Sequence, residues 1–368
     1  MKGAGWKGRA GLLVAGIAIG CIAAEAAFRM VRPDDAVDLL YNAPENAPDG
    51  LYTTDSTVYA IPTPGFRGTQ QSLGYAVDLR INKHGLRGPE IGAKTRPRYL
   101  AIGDSFTMAA QVSESDTFVM RAAEDLNVEM LNGGVDGYGT FQALERYKQL
   151  DEALDIDGVV LTFFVGNDVH DNVRWSRVQQ EARRVRPGQP LQRRPVGAVH
   201  GFFYKRSALY AAVQMQLRRR ELAKPNAPER HRWTSELMLF TQNGGGVLGA
   251  QMPQTAQALR QFAAETTRRG DTLMVAIAPP AFQIETERMD ATFQLIGIDP
   301  TQARVDAVSN AVRDALQRIG IAHCDLVDPL RRAHRAGREM YLQYDGHWSP
   351  KGHAVVSDAL VRCMTSAR

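Results

Sequence analysis

The sequence predicts an α/β fold in which helices wrap a parallel sheet, preceded by an apolar N-terminal helix. Three observations carry this. Strand and helix patterns alternate as β-α-β-α-β from Tyr99 to Val165. Each of those three strand patterns stops in a glycine-bearing polar turn, at Gly103-Asp104-Ser105, at 132–140 and at Gly166-Asn167-Asp168. Carboxyl ends of parallel strands line one crevice, so these turns are expected to meet. Lastly, Lys2, Lys7 and Arg9 precede an uninterrupted apolar run over 10–24.

That run is short for a span of ~20 residues. Continuation through Ala26, Ala27 and Phe28 lengthens it, with Glu25 near its outer end in position to pair with Arg29 at i+4. Residues 1–30 are therefore read as an uncleaved signal anchor. Cleavage at the A-x-A-like Ala24-Glu25-Ala26, or at the lipoprotein-like Ala18-Ile19-Gly20-Cys21, are the alternatives. In every case the basic end stays inside and the bulk of the chain is extracytoplasmic, in the periplasm or at the cell surface.

Residues 31–94 read as a linker and N-terminal extension. The stretch 33–64 is rich in Pro, Asn and Asp and is expected to be irregular. Val77, Leu79 and Ile81 alternate with Asp78, Arg80 and Asn82, which predicts a strand ending in a turn at Gly85. The main domain is placed at 95–368. Its strands are expected at 99–102, 128–131, 158–165, 272–278 and 322–327. Helices are expected to start near Thr107 and to cover 117–127, 142–154, 207–222, 253–269, 302–319 and the end of the chain from about Pro350. A basic insertion at about 170–245 interrupts the alternation and is read as a partly ordered lid beside the crevice, with a flexible stretch around 224–229.

Length and apolar content suit one large domain with additions, and no period of 20–50 residues repeats, which excludes a solenoid. Charge is unevenly placed. Between Arg174 and Arg220 there are twelve Lys or Arg and one acid, Glu181; that segment carries +11 of a chain whose total is +4, leaving −7 elsewhere. A local basic surface for anionic lipid, an acidic polymer or nucleic acid follows, and a solvated basic face is the plain alternative. Export sets nucleic acid aside. Three cysteines in no Cys/His cluster of zinc spacing give no metal site; Cys324 and Cys363 are candidates to pair in an oxidising compartment.

The chemistry-bearing residues lie at the strand ends. Ser105, at a strand-to-helix turn, suits a nucleophile, although GDS alone suits a capping serine equally well. A serine hydroxyl needs an adjacent base. His347 is the candidate base, and Asp345, two residues earlier on extended chain, projects to the same side to orient it. Donors for a developing oxyanion are the backbone N–H of Ser105, the backbone N–H of Gly137 and the carboxamide of Asn167. Asp104 and Asp168 are read as supports of the two turns, His353 as structural and His170 as a loop residue. Tyr138 is read as pocket lining or packing, and Trp348 as a wall of the site.

With GDSF at 103–106, NGGVDGYGT at 132–140, GND at 166–168 and DGHW at 345–348, in that order, the chain resembles the SGNH (GDSL-type) hydrolase superfamily over roughly 95–365. NKHGLRG at 82–88 and the N-terminal run resemble membrane-tethered bacterial members. The resemblance implies a flavodoxin-like three-layer α/β/α sandwich. It maps the family's Ser, Gly, Asn and His onto Ser105, Gly137, Asn167 and His347, and it implies no metal or organic cofactor. The pattern departs in two places. Phe106 stands for the leucine of GDSL. Asp345 is two residues before His347, where most members place the acid three before; this is similar to bacterial polysaccharide O-acetylation proteins of the alginate type. The implied function is an exported serine esterase acting on a small-molecule or glycan acyl ester. The alternatives are an O-acyltransferase acting on a polysaccharide and a non-catalytic protein that binds polyanions through the 174–220 segment.

Overall fold

The computed structural model describes residues 4–31, 47–72, 74–191, 198–204, 206–222, 235–295, 297–343 and 345–366. Nine strands are described: β1 (Tyr52–Asp55), β2 (Tyr59–Pro62), β3 (Arg67–Ser72), β4 (Tyr75–Arg80), β5 (Arg98–Gly103), β6 (Glu129–Asn132), β7 (Gly158–Phe164), β8 (Thr272–Ala278) and β9 (Ala322–Asp325). The last five form one sheet in the order β6-β5-β7-β8-β9, every pair parallel. This is the doubly wound order whose switch point lies between the first and third strands, here β5 and β7.

Strand periodicity sorts the core into two layers. Leu100 and Ile102 of β5, Val159, Leu161 and Phe163 of β7, and Val275 and Ile277 of β8 face helices Thr140–Leu154, Gly245–Arg269 and Ala307–Ile319. Their neighbours Ala101, Val160, Met274 and Ala276 face helices Phe118–Leu126, Val327–Arg335 and Pro350–Ser366. The near-continuous apolar run of β7 follows, since a central parallel strand is covered on both sides. Each fully buried Leu or Phe contributes ~2 kcal/mol of transfer free energy to this sandwich. Cys324 of β9 and Cys363 of the last helix are joined as a disulfide across the second layer.

Several boundaries differ from the sequence reading for identifiable reasons. Within the extension, 52–62 is a hairpin, β1 antiparallel to β2, followed by a second hairpin of β3 and β4. The Tyr, Thr and Ile content of YTTD and YAIP outweighs the flanking turn residues. The rest of the expected irregular stretch, 33–46, lies outside the described residues, as does 224–229. The helix expected from Pro253 begins two turns earlier, at Gly245; four residues before the proline ring stands exposed Gly249, with no side chain to obstruct it. The helix expected from 302 begins at Ala307, because Asp299 and Pro300 open a separate 3₁₀ turn. The helix after Ser105 is a single turn, Ser105–Met108, ended by Ala109 at φ +53°.

The hairpins are part of the globule. Leu51, Tyr52, Val77, Leu79 and Ile81 pack with Met108, Ala110, Val135 and Tyr138, covering the loops that follow β5 and β6. The basic insertion is stitched to β1: Thr54 N–H donates to the Gln189 carbonyl (2.8 Å) and Leu191 N–H to the Tyr52 carbonyl (3.0 Å). Its described helices include Asp168–Val173, Trp175–Ala182, Ala198–Tyr204 and Ala208–Leu222. The N-terminal helix runs Ala4–Val31, and Arg9–Val31 is long and apolar enough to cross a membrane. The expected Glu25–Arg29 pair forms at 2.6 Å.

Candidate active site

Ser105 stands where β5 ends. The turn before it demands glycine: Gly103 has φ +152°, and a Cβ there would sit 2.5 Å from the Thr162 carbonyl of neighbouring β7. Asp104 caps the next turn by accepting the Phe106 N–H (2.9 Å). Behind the serine, the buried guanidinium of Arg87 donates to the carbonyls of Met108 (2.8 Å), Ala109 and Val112 (2.6 Å). It therefore satisfies the carbonyls that the one-turn helix leaves open. Burial lowers this guanidinium to about 10, and it stays charged at neutral pH. Asn132 ties the next loop on, donating to the Thr107 carbonyl (2.8 Å) and accepting from Gly134 N–H (3.1 Å). Gly134 passes so close that a Cβ would lie 2.1 Å from the Met108 nitrogen.

His347 Nε2 lies 2.7 Å from Ser105 Oγ. Its Nδ1 is in hydrogen-bond contact with Asp345 Oδ1, which also accepts the His347 backbone N–H (3.0 Å). Both side chains are buried. The Gln111 carboxamide lies 3.1 Å from Nδ1, and Asp345 Oδ2 accepts the Tyr75 hydroxyl (3.1 Å). Burial alone would lower the imidazole pKa, but the Asp345 carboxylate outweighs it and the pKa is raised above the usual value. Burial, with Asp345 beside it, pushes the Tyr75 hydroxyl far up, so it remains a donor. A serine oxygen in reach of an imidazole whose far nitrogen is held by a carboxylate is the arrangement that generates a serine nucleophile.

The expected oxyanion donors lie on the loops that follow the flanking strands. Gly137 is exposed, with φ +76°, and an added Cβ would meet nothing within 4 Å. Asn167 follows β7 and precedes the helix Asp168–Val173; its Oδ1 meets no partner among the described residues. Val135 N–H donates to the Gly103 carbonyl (3.0 Å), which draws the Gly137 loop against the serine turn. Asp168 accepts the Phe164 N–H (3.1 Å) and braces the turn at Asn167. Burial raises both Asp168 and Asp104; repulsion from Asp104 and Asp171 adds to the rise of Asp168, and repulsion from Asp136 and Asp171 to that of Asp104.

Phe106 stacks on Phe164, with ring centroids 4.2 Å apart, and lies 4.9 Å from the imidazole of His347. Trp348 is fully buried behind Phe106, Phe118 and His353. It supports the site from the core and does not wall the crevice. His353 accepts the Phe118 N–H (3.2 Å), and burial pushes it down to about 3, so it is neutral. Tyr138 is packing: it is buried under the first hairpin and donates to the Ala60 carbonyl (2.6 Å). His170 is half-buried on the helix Asp168–Val173.

Sequence reasoning missed Tyr75, Gln111 and Arg87. Tyr75 has the same strand parity as Val77 and Leu79, the inward positions of β4, which is the signal that was available. Arg87 lies in NKHGLRG, to which the sequence alone assigns no role. Gln111 carries no local signal. Among the described residues no group of three or more His, Cys, Asp or Glu side chains is placed to hold a metal ion.

Residues 238–367 match the family model of an SGNH hydrolase-like domain, acetyltransferase AlgX. That span holds β8, β9, Asp345 and His347, whereas Ser105, Gly137 and Asn167 precede it. No curated protein matches the chain. Among solved structures, the chain is similar to an alpha/beta hydrolase enzyme from the metagenome of Lake Arreo, Spain. Identity is 15% and TM-score 0.40, covering 75% of this chain and 98% of that one. It is also similar to a catalytic mutant of an acetylxylan esterase from Geobacillus stearothermophilus. There identity is 14% and TM-score 0.39, covering 74% and 95%.

Proposed function

We propose that this chain, whose residues 238–367 match the model of an SGNH hydrolase-like domain, is an exported, membrane-tethered serine esterase with Ser105, His347 and Asp345 as its triad. Residues 1–30 are its uncleaved anchor, 31–94 its extension, and 95–368 its catalytic domain. The observation that carries the reading is the continuous line of contacts from Ser105 Oγ through the His347 ring to Asp345 at the switch point of the sheet.

Ser105 Oγ attacks the acyl carbonyl carbon while its proton passes to His347 Nε2. Asp345 stabilises the resulting imidazolium. The carbonyl oxygen becomes an oxyanion, stabilised by the backbone N–H groups of Ser105 and Gly137 and by the Asn167 carboxamide. As the tetrahedral centre collapses, the bond to the alcohol oxygen breaks and His347 returns its proton to that oxygen. Water then attacks the acyl-serine, giving up a proton to His347; the bond from the acyl carbon to Ser105 Oγ breaks, His347 returns the proton to Oγ, and the carboxylic acid leaves.

A second reading is favoured by the acetyltransferase AlgX description of the matched domain and by the two-residue spacing of Asp345 and His347. In it the acyl-serine is attacked by a glycan hydroxyl instead of water. The two share every step up to the acyl-enzyme. An aryl acetate panel with the full chain in detergent, with and without an oligosaccharide acceptor and with Ser105→Ala as the blank, separates them. Free acid as the product with acceptor present supports the esterase; ester-linked acyl on the acceptor supports the transferase. Turnover undiminished in Ser105→Ala overturns both, and absence of turnover in the parent protein leaves the polyanion-binding alternative.

A further inference from the structure

Among the described residues outside the N-terminal helix, most of the large apolar side chains that stand exposed fall in one short stretch of the basic insertion: Val199, Phe202, Phe203, Val213 and Leu217. They lie on two consecutive helices, Ala198–Tyr204 and Ala208–Leu222. Phe202 and Phe203 are 54% and 46% exposed, an unfavourable placement for two adjacent phenylalanines in water.

The same stretch is clasped to the N-terminal helix at one level. Glu25 accepts from the Ser207 hydroxyl (2.7 Å) and from the backbone N–H groups of Ala208 (2.8 Å) and Leu209 (3.0 Å), which open the second helix. Arg29 pairs with Glu25 and donates to the Arg206 carbonyl (3.0 Å). The N-terminal helix and Ala208–Leu222 also pack against each other. Glu25 and Arg29 close the outer end of Arg9–Val31, whose length of roughly 34 Å is that of a tilted membrane span. The clasp therefore holds the exposed phenylalanines beside the point where the span leaves the hydrocarbon. Arg206 lies 4.6 Å over the Phe202 ring, and its exposed guanidinium, like that of Arg220, suits a lipid phosphate. Aromatic and arginine side chains together mark the membrane interface.

We propose that the helices Ala198–Tyr204 and Ala208–Leu222 are a second membrane contact. They lie on the extracytoplasmic leaflet beside the anchor, with Phe202 and Phe203 in the headgroup–acyl boundary and Arg206 on lipid phosphate. This rests on the reading of Arg9–Val31 as an uncleaved anchor. Its consequence is positional. Arg206 also donates to Gln71 on β3 (3.3 Å), in the hairpin that carries Tyr75, so the contact fixes the crevice close to the bilayer.

The test uses the full chain reconstituted in vesicles of phosphatidylethanolamine and phosphatidylglycerol. In a Cys21→Ser background, a nitroxide is attached at Phe203→Cys, Ile22→Cys or Arg338→Cys. The expected result is that labels at 203 and 22 are relaxed by oxygen and shielded from an aqueous nickel chelate, while the label at 338 behaves oppositely. A label at 203 open to nickel, or shielded from both agents, overturns the proposal while a lipid-immersed label at 22 leaves the anchor standing. A label at 22 open to nickel overturns the anchor reading and the proposal with it. Excess dextran sulfate is expected to change nothing; displacement of the 203 label from lipid by it makes the surface a polyanion site and overturns the membrane contact.

Discussion

The Tyr75 hydroxyl donates to Asp345 Oδ2 across 3.1 Å, joining residues 270 positions apart. Asp345 thus uses one oxygen on His347 and the other on a strand of the N-terminal extension. A cavity of about 310 Å³ lined by Gly74, Tyr75, Tyr341, Leu342, Asp345 and Lys351 lies beside that bond. Loss of the hydroxyl leaves Oδ2 within reach of water, so the fold tolerates the change.

Tyr75→Phe is expected to lower kcat about tenfold with KM little changed, the equivalent of ~1.4 kcal/mol for one hydrogen bond to a charged acceptor. Without that donor the Asp345 carboxylate is less fully satisfied and holds the imidazolium more tightly. The acid limb of the kcat/KM profile therefore moves to higher pH. A merely structural Tyr75 would lower the melting temperature and leave that limb in place.

The working form of His347 is the neutral imidazole, and Asp345 raises its pKa against the opposing effect of burial. Activity is therefore expected to fall, as pH drops, through a midpoint above the ordinary imidazole value of about 6.5. Asp345→Asn removes the raising charge and shifts the midpoint down while reducing the maximal rate. For folding the sign is opposite: the raised pKa contributes stability below the unfolded value, lost as pH rises through the folded one. A rate profile between pH 5 and 9 checks the first statement, and urea midpoints across the same range check the second.

Arg87→Ala strands the carbonyls of Met108, Ala109 and Val112 in the interior. The expected destabilisation is about 3 kcal/mol, read as a lowered urea midpoint. Arg87→Lys is expected to recover only part, because an ammonium lacks the fork that reaches three acceptors at once. Equal midpoints for the two variants and the parent protein would contradict the bracing role.

The Cys324–Cys363 disulfide closes a loop with a sequence separation of 39, for which chain entropy gives ~4 kcal/mol. Cys324→Ala with Cys363→Ala is expected to lower the melting temperature, and dithiothreitol should lower that of the parent protein alone.

How much was legible depended on whether a residue's partners were near it in sequence. Strand ends at Ser105, Gly137 and Asn167 follow from local pattern, because periodicity marks each strand and glycine marks its stop. Asp345 and His347 share one turn, so their pairing was also local. Tyr75, Gln111 and Arg87 act on residues that only the tertiary fold brings near, and Tyr75 lies in a stretch read as an extension without a catalytic part. Trp348 was misplaced for the converse reason: its neighbour His347 faces the crevice, but the adjacent side chain turns the other way, into the core. The hairpin over 52–62 was hidden by the Asn, Pro and Asp residues that flank it, Asn46, Pro48, Asp49 and Pro64.

The most direct measurement is reaction of the full chain with a fluorophosphonate, followed by mass spectrometry of the digest. The proposed triad implies one phosphonyl adduct on Ser105, formed rapidly in the parent protein, slowly in His347→Ala and not in Ser105→Ala. An adduct on another residue, or labelling of Ser105 at the same rate in His347→Ala as in the parent protein, would contradict it.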